Sequence, residues 1–321
     1  MPAPQLIVTG GAGLIGAGIV RALNRRGRRD VMIVDDLNHP AKQANLDALE
    51  FARYMDKAAF RTAFLAGDVP APEAVLHLGA CSSTTEPDAD YLDDNNRRYT
   101  RQLCDWTLGH GARFVYASSA ATYGDGSLGY ADDHALLPRL RPLNLYGLSK
   151  HQFDLEALHD GLLDRIAGIK YFNVYGPGEN HKGDMRSVVH KAFHEIRATG
   201  ALRLFRSHRP DYADGEQVRD FVFVEDAAAV TLFFMDHPAA NGIFNCGTGQ
   251  ARSWLELGRA VFLAMGREPD IRFIDMPEAI REKYQYYTQA ETQKLRAAGF
   301  DAPFAAIEDG VRRYVQALDQ G

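Results

Sequence analysis

Thr9-Gly10-Gly11-Ala12-Gly13-Leu14-Ile15-Gly16 follows the apolar run Leu6-Ile7-Val8 and leads into residues 19–23, which continue at helical spacing. Strand, glycine turn and helix in that order make an anion site. Gly10 permits the tight turn, Gly13 lets the backbone approach a pyrophosphate, and Gly16 allows close helix–sheet packing with the helix N-terminus facing the anion. A glycine turn alone also occurs with no ligand. Here a second apolar run, Val31-Met32-Ile33-Val34, ends on Asp35, 19 residues after Gly16, where a ribose-binding acid belongs.

The same alternation continues outward. Residues 74–78, 113–116 and 169–172 are further continuous apolar strands, which suit a parallel sheet covered on both faces. Leu92, Asn95, Tyr99, Leu103 and Trp106 recur at helical spacing, with Gly109 and Gly111 placed to end that helix. Ser253 with Glu256 forms a capping box opening a helix, and Phe304, Ile307, Val311, Val315 and Leu318 mark a last amphipathic one. The expected fold is α/β: a Rossmann-type doubly wound parallel sheet with a smaller C-terminal α/β substrate domain. From about Asn173 the texture becomes glycine-rich and polar, and residues 206–220 read as a loop before strand-like 221–224 and 242–245. Residues 1–172 with about 218–248 are therefore assigned to the nucleotide-binding domain. About 173–217 with 249–321 form the substrate domain.

Composition narrows the function. The chain has 321 residues, 46% hydrophobic and 24% charged, and its formal net charge of −6 argues against a general nucleic-acid-binding surface. Three cysteines without a C-x-x-C support neither a disulfide scaffold nor a thiolate zinc site. His190 and His194 stand four apart but no acidic third ligand accompanies them, so no metal is expected. Met1-Pro2-Ala3-Pro4-Gln5 lacks the basic start of a signal peptide, and no stretch is long and apolar enough to span a bilayer. The expected setting is a cytoplasmic protein without membrane or nucleic-acid partners. The 36 basic residues are lopsided, 28 Arg against 8 Lys.

Tyr146-Gly147-Leu148-Ser149-Lys150 puts Tyr146 and Lys150 at i and i+4, on one helical face. A phenol is a poor base at neutral pH. Lowering its pKa by about 3 units needs about 4 kcal/mol, which a nearby ammonium and a cationic nicotinamide would supply together. Tyr116-Ala117-Ser118-Ser119 follows a strand, and a hydroxyl at the carboxyl end of a strand faces the ligand crevice. Ser119 is thus placed to hydrogen-bond the reacting oxygen, although turn chemistry alone also explains Ser118 and Ser119. For the cofactor, Asp35 favours a free ribose 2′-hydroxyl and hence NAD, while Lys42 and Lys57 downstream favour a 2′-phosphate and hence NADP.

With these motifs the chain resembles the extended short-chain dehydrogenase/reductases. Ala80-Cys81-Ser82-Ser83-Thr84-Thr85-Glu86, Asp94-Asn95-Asn96, residues 142–147 and 171–177, His181-Lys182-Gly183, Arg219-Asp220-Phe221-Val222 and Tyr284-Gln285 narrow the likeness to the ADP-L-glycero-D-manno-heptose 6-epimerases. That resemblance implies inversion at C6″ of an ADP-heptose, with NADP taking a hydride and returning it to the opposite face of a 6-keto intermediate. It implies a step in lipopolysaccharide inner-core synthesis. Tyr146 matches the family's base on one face and Lys182 the base on the other. Gly10, Gly13, Leu14, Ile15, Gly16, Asp35, Asp36, Lys42 and Lys57 match its cofactor contacts, as do Leu78, Gly79, Ala80, Cys81, Ser82, Asn95 and Val174, together with Tyr146, Lys150 and Lys182. Ser119, Asn173, Asp184, Phe205, Arg206, Ser207, His208, Arg219 and Tyr284 match its substrate contacts, and the family's substrate histidine falls on either His190 or Lys191. A homo-oligomer, a pentamer, is implied as well.

Departures from the pattern matter. Asp36 stands where Asn is familiar and adds negative charge near any 2′-phosphate. Asp184 replaces a common Ser, and Phe205-Arg206-Ser207-His208 precedes a lengthened loop. Other readings are a UDP-hexose 4-epimerase, which would not need Lys182, and a 4,6-dehydratase, disfavoured by Ala120-Ala121 where an acid and base are required. A non-catalytic Rossmann cofactor sensor could dispense with Tyr146, Lys150 and Ser119.

Overall fold

The computed structural model describes residues 5–281 and 284–320; residues 1–4, on which the leader reading partly rests, lie outside them. β1 (Leu6–Thr9), α1 (Leu14–Arg25), β2 (Val31–Asp35), α2 (Pro40–Asp47), β3 (Arg53–Asp56), α3 (Lys57–Ala66) and β4 (Ala74–His77) come first. α4 (Ala89–Leu92), a π-helical turn (Asp93–Arg98) and α5 (Tyr99–Gly109) run on to β5 (Arg113–Ser119), α6 (Leu145–His159) and β6 (Ala167–Tyr171). Then follow β7 (Asn173–Tyr175), α7 (Val188–Thr199), β8 (Leu202–Phe205), β9 (Val218–Phe223), α8 (Val224–Asp236) and β10 (Gly242–Cys246). β11 (Ala251–Ser253), α9 (Trp254–Ala264), β12 (Ile271–Ile274), α10 (Glu278–Arg281), α11 (Gln293–Ala297) and α12 (Ile307–Gln320) complete the chain.

Seven parallel strands form the main sheet in the order β10-β6-β5-β4-β1-β2-β3. Every residue of β1, β2 and β4 is buried, including Asp35 at the end of β2, as strands covered on both faces require. The register aligns Thr9 with Val34 and with His77, so the glycine turn, Asp35 and Leu78 emerge side by side. The order reverses between β1 and β4, which opens a crevice at the carboxyl ends of the strands. β3 has no apolar run to betray it: Arg53-Tyr54-Met55-Asp56 is a partly exposed edge strand.

A second core gathers Phe193 and Ile196 of α7, Leu257 and Val261 of α9, and Val311 and Val315 of α12. Beside it lie a three-stranded sheet, β11-β9-β7, and the parallel pair β12-β8. β9 pairs with β7 and β11 in the small sheet, and α8 begins directly after it at Val224. Val224 is helical, not a strand residue. Ala290, Leu295 and Phe300 pack into the main core although they lie in the C-terminal stretch. The capping box is present, with Ser253 Oγ accepting from Glu256 N at 3.1 Å and Glu256 Oε2 from Ser253 N at 2.7 Å. α12 starts at Ile307, while Phe304 packs against the main core instead. Among the described residues no helix is long and apolar enough to cross a membrane.

His77 closes β4 under the glycine turn. Its Nδ1 meets Thr9 Oγ1 at 2.7 Å and its Nε2 meets Thr100 Oγ1 at 2.8 Å. Burial, helped by the charge of Lys150, pushes its pKa down to about 3. Below pH 6.5 the unfolded chain takes up a proton that the folded one refuses, so stability falls as pH drops from 6.5 toward 3. The loss is on the order of 5 kcal/mol by pH 3, at about 1.4 per pH unit, and about 3 of it is in place by pH 4. Chemical unfolding at pH 7 and pH 4 should show this loss in the wild type and a smaller one in His77→Gln.

Candidate active site

The glycine turn is sterically closed to other residues. Gly10 has φ +67°, and a Cβ there would stand 2.7 Å from Gly79 N; a Cβ on Gly16 would stand 2.1 Å from Gly10 O. Gly13 takes the N-cap position of α1 with no side chain over the helix mouth, and no acidic residue occupies the first turn. The open amides and the helix dipole therefore face the crevice. Asp35 braces this turn: Oδ2 accepts from Ala12 N at 2.9 Å, and Oδ1 from Asp36 N at 2.8 Å and Lys42 Nζ at 2.9 Å. Lys42 also reaches Asp36 Oδ1 at 2.5 Å, and Lys57 reaches Asp36 Oδ2 at 3.2 Å. Burial pushes the Asp36 carboxyl up, but the two lysines outweigh it and hold it below its ordinary value. The lysines expected to meet a 2′-phosphate are thus already engaged by Asp36.

A cleft of about 650 Å³ runs from this turn along the strand ends. All the residues expected to touch the cofactor line it, from Gly10 and Asp35 through Leu78–Ser82 and Asn95 to Val174, and so do all four expected catalytic residues. Asn95 reaches it from the π-helical turn, a local geometry frequent at functional sites. The next residue, Asn96, holds the loop after β4: its Oδ1 accepts from Cys81 N at 2.8 Å, and its Nδ2 donates to Cys81 O and Ser149 Oγ, both at 3.0 Å.

Tyr146 and Lys150 sit on the first two turns of α6, whose N-cap Asn144 accepts from Gly147 N at 2.8 Å. Ser119 ends β5 and also caps the following turn, accepting from Ala121 N at 3.1 Å, so the turn-chemistry role and the cleft position coexist. Burial raises the Tyr146 phenol above its ordinary value, opposed by a hydrogen bond with Ser119, and lowers Lys150 to about 8. The lowered phenol expected beside an ammonium is not found in the protein alone, because burial dominates.

Lys182 lines the same cleft from the segment between β7 and α7. Burial lowers its ammonium, against an opposing pull from Glu179. Glu179 is buried and clasps the loop onto α7, accepting from Ser187 N at 2.6 Å and Ser187 Oγ at 2.5 Å. Asn45 Nδ2 donates to Ala12 O and to Gly178 O, both at 2.8 Å, and so ties the glycine turn to the Lys182 loop. His181 Nδ1 is buried at the cleft wall with no hydrogen-bond partner among the described residues, and burial pushes this ring down to about 4. Together with the glycine cradle, that orphaned polar atom fits a bound dinucleotide. Glu179, Asn45 and Asn96 were missed as site residues because their roles depend on contacts far along the chain.

The expected substrate residues divide. Arg219 of β9 is 8% exposed, and its guanidinium lies 5.6 Å from the Trp254 ring and 5.2 Å from the Tyr284 ring. Phe205 packs edge-on to Tyr284 at 6.4 Å. Arg206 pairs with Asp214 at 3.6 Å, Ser207 N donates to Asp214 Oδ1 at 2.8 Å, and His208 N donates to Tyr286 Oη at 3.0 Å. Beside this cluster a second cleft of about 450 Å³ is walled by Tyr130, Arg209, Tyr212, Tyr284 and Tyr286. Asn173 is exposed at the start of β7, next to Val174. His190 is buried and turned to Asn180 Oδ1 at 2.9 Å, and Lys191 donates to Asp184 O at 2.7 Å. Of the expected substrate residues, Ser119 lines the first cleft and Tyr284 the second, while Asn173, Asp184, His190, Lys191, Phe205, Arg206, Ser207, His208 and Arg219 line neither.

The model of the NAD dependent epimerase/dehydratase family matches residues 6–247. The ADP-L-glycero-D-manno-heptose-6-epimerase of Nitratidesulfovibrio vulgaris (strain DP4) is 54% identical over 311 residues, 97% of this chain and 96% of that one. The enzyme of the same name from Alkalilimnicola ehrlichii is 48% identical over 317 residues, 98% of this chain and 97% of that one. Among solved structures, Helicobacter pylori ADP-L-glycero-D-manno-heptose-6-epimerase superposes with TM-score 0.82 at 24% identity, covering 99% of this chain and 96% of that one. Thermus thermophilus UDP-glucose 4-epimerase in complex with NAD superposes with TM-score 0.77 at 27% identity, covering 98% of each.

Proposed function

The chain belongs to the NAD dependent epimerase/dehydratase family, and from that premise we propose that it interconverts ADP-D-glycero-D-manno-heptose and ADP-L-glycero-D-manno-heptose at C6″, a step of lipopolysaccharide inner-core synthesis. One observation carries the chemistry: Tyr146 and Lys182, borne on separate elements, line one cleft behind a dinucleotide turn. The glycine turn, Asp35 and the loop after β4 would hold a nicotinamide cofactor, which would supply reversible hydride acceptance at C6″. Tyr146 exchanges the proton of the C6″ oxygen on one face, with Ser119 hydrogen-bonded to that oxygen and Lys150 favouring the phenolate. Lys182, its proton loosened by burial, exchanges the proton on the other face. A 6-keto intermediate that turns between them needs both. Arg219, held between Trp254 and Tyr284, suits the substrate diphosphate. The test is to incubate the cofactor-loaded protein with ADP-D-glycero-D-manno-heptose and separate the epimers; absence of conversion overturns the reading.

NADP is the proposed cofactor. A 2′-phosphate brings about −2 charge to Lys42 and Lys57 and must displace Asp36 as their partner. Asp36→Asn should therefore tighten NADP about tenfold and leave NAD within about twofold, read by titrating the cofactor-free protein with each. Equal tightening of both would refute this use of the lysines. The main sheet with α8 and β10 is proposed as the cofactor-binding domain, the second core with its small sheets as the substrate domain, and a cytoplasmic homo-oligomer, a pentamer, as the working form.

A further inference from the structure

Behind the helix of Tyr146 and Lys150 lies an ion pair with no part in the reaction as described. Asp154 stands one helical turn beyond Lys150 on α6, and both Asp154 and Lys170 of β6 are completely buried. Lys170 Nζ donates to Asp154 Oδ2 at 2.8 Å and to Thr122 Oγ1. From β5, Tyr116 Oη donates to Asp154 Oδ1 at 2.8 Å and Ser118 Oγ donates to Oδ2 at 2.7 Å. Thr122 passes the chain on, its hydroxyl donating to the carbonyl of Ser119 at 2.8 Å. The Lys170 ammonium also lies 5.1 Å from the centre of the Tyr123 ring.

Two charges sealed from water are a poor route to stability, since packed apolar residues of similar volume do as well or better. Their placement has a different consequence. One network fastens the catalytic helix to the strand that ends in Ser119, and it puts a carboxylate directly behind Lys150. We propose that Asp154 and Lys170 are a positioning pair for the reaction, holding Ser119 in register with Tyr146 and Lys150 and balancing the charge at their back. This rests on the hydride-transfer reading above.

Lys150 is faced by Asp154 on its own helix, by Cys81 in the loop after β4, and by His77 on β4, which burial keeps neutral. Burial disfavours its charge and Asp154 supports it. Removing the Asp154 charge therefore moves the loss of the Lys150 proton to lower pH, and the unbalanced Lys170 adds to that movement.

The experiment compares wild type, Asp154→Asn and the double variant Asp154→Asn/Lys170→Met, each with bound cofactor quantified, for epimer conversion across pH 6 to 9.5. Asp154→Asn should lose roughly 10- to 100-fold in kcat with KM within about twofold, and its alkaline limb should shift down by about one pH unit. The double variant keeps the core neutral and serves where the single one does not fold. It should keep the cofactor, lose roughly tenfold in kcat through the freed Thr122–Ser119 segment, and show a smaller shift. A cofactor-loaded double variant with wild-type kcat and pH profile would overturn the positioning pair. Wild type that converts neither epimer overturns the functional reading instead, so the two failures are distinct.

Discussion

Lys182→Met should abolish practical epimerisation, lowering kcat by about 10² to 10⁴, while the protein stays folded with its cofactor. Lys182 sits on a loop held by the bonds of Glu179 to Ser187, Asn45 to Gly178 O and Asn180 to His190, so the loop should survive the loss of the charge. Methionine matches the stem in length and apolar character but carries no proton. Lys182→Arg should not rescue the rate, because a guanidinium remains charged at every working pH and cannot act as a base. Separation of the two ADP-heptose epimers after timed incubation checks both variants. Conversion by Lys182→Met near the wild-type rate sinks the two-base mechanism while leaving family membership intact.

Tyr146→Phe should cost as much, about 10² to 10⁴ in kcat, or roughly 3–5 kcal/mol of transition-state stabilisation. The ring and its packing remain and only the hydroxyl goes, so cofactor content is expected within about twofold of wild type. The wild-type rate has a defined pH form. Burial raises the phenol, so the basic form becomes more available as pH rises. Burial also lowers Lys150 to about 8, so the supporting ammonium is lost as pH rises through that value. The profile of kcat should climb from neutral pH, turn near 8 and fall beyond it. A flat profile from pH 7 to 9 would separate the rate-limiting step from both groups.

Much of the main sheet was legible from local pattern. Unbroken apolar runs such as Leu6-Ile7-Val8 suit burial on both faces, and the glycines at 13 and 16 answer to contacts within their own turn, as the 2.1 Å approach of a Cβ at Gly16 to Gly10 O makes plain, whereas Gly10 answers to Gly79 across the sheet. β3 escaped because an edge strand needs no apolar run. β8 and β12 escaped because each is a short alternating segment paired with a partner far along the chain.

The candidate site divides in the same way. Tyr146 and Lys150 are neighbours by helical geometry, so their joint placement follows from spacing alone. Asp35 at the end of β2 is equally local. The pairing of Asp36 with Lys42 and Lys57 is not, since it needs β2, α2 and α3 to meet. Nor is the burial of His190, which its turn toward Asn180 decides.

What the sequence determined by itself, then, is the order of elements, the phosphate turn, the catalytic helix and the strand-end hydroxyl, because each is set by residues within one or two turns of each other. Only the tertiary structure decided which charges pair, which histidine is sealed, that Lys182 lines the same cleft as Tyr146, and that Asp154 meets Lys170 behind the site. Those outcomes turn on desolvation and on contacts between distant segments, and both exist only once the chain has closed on itself.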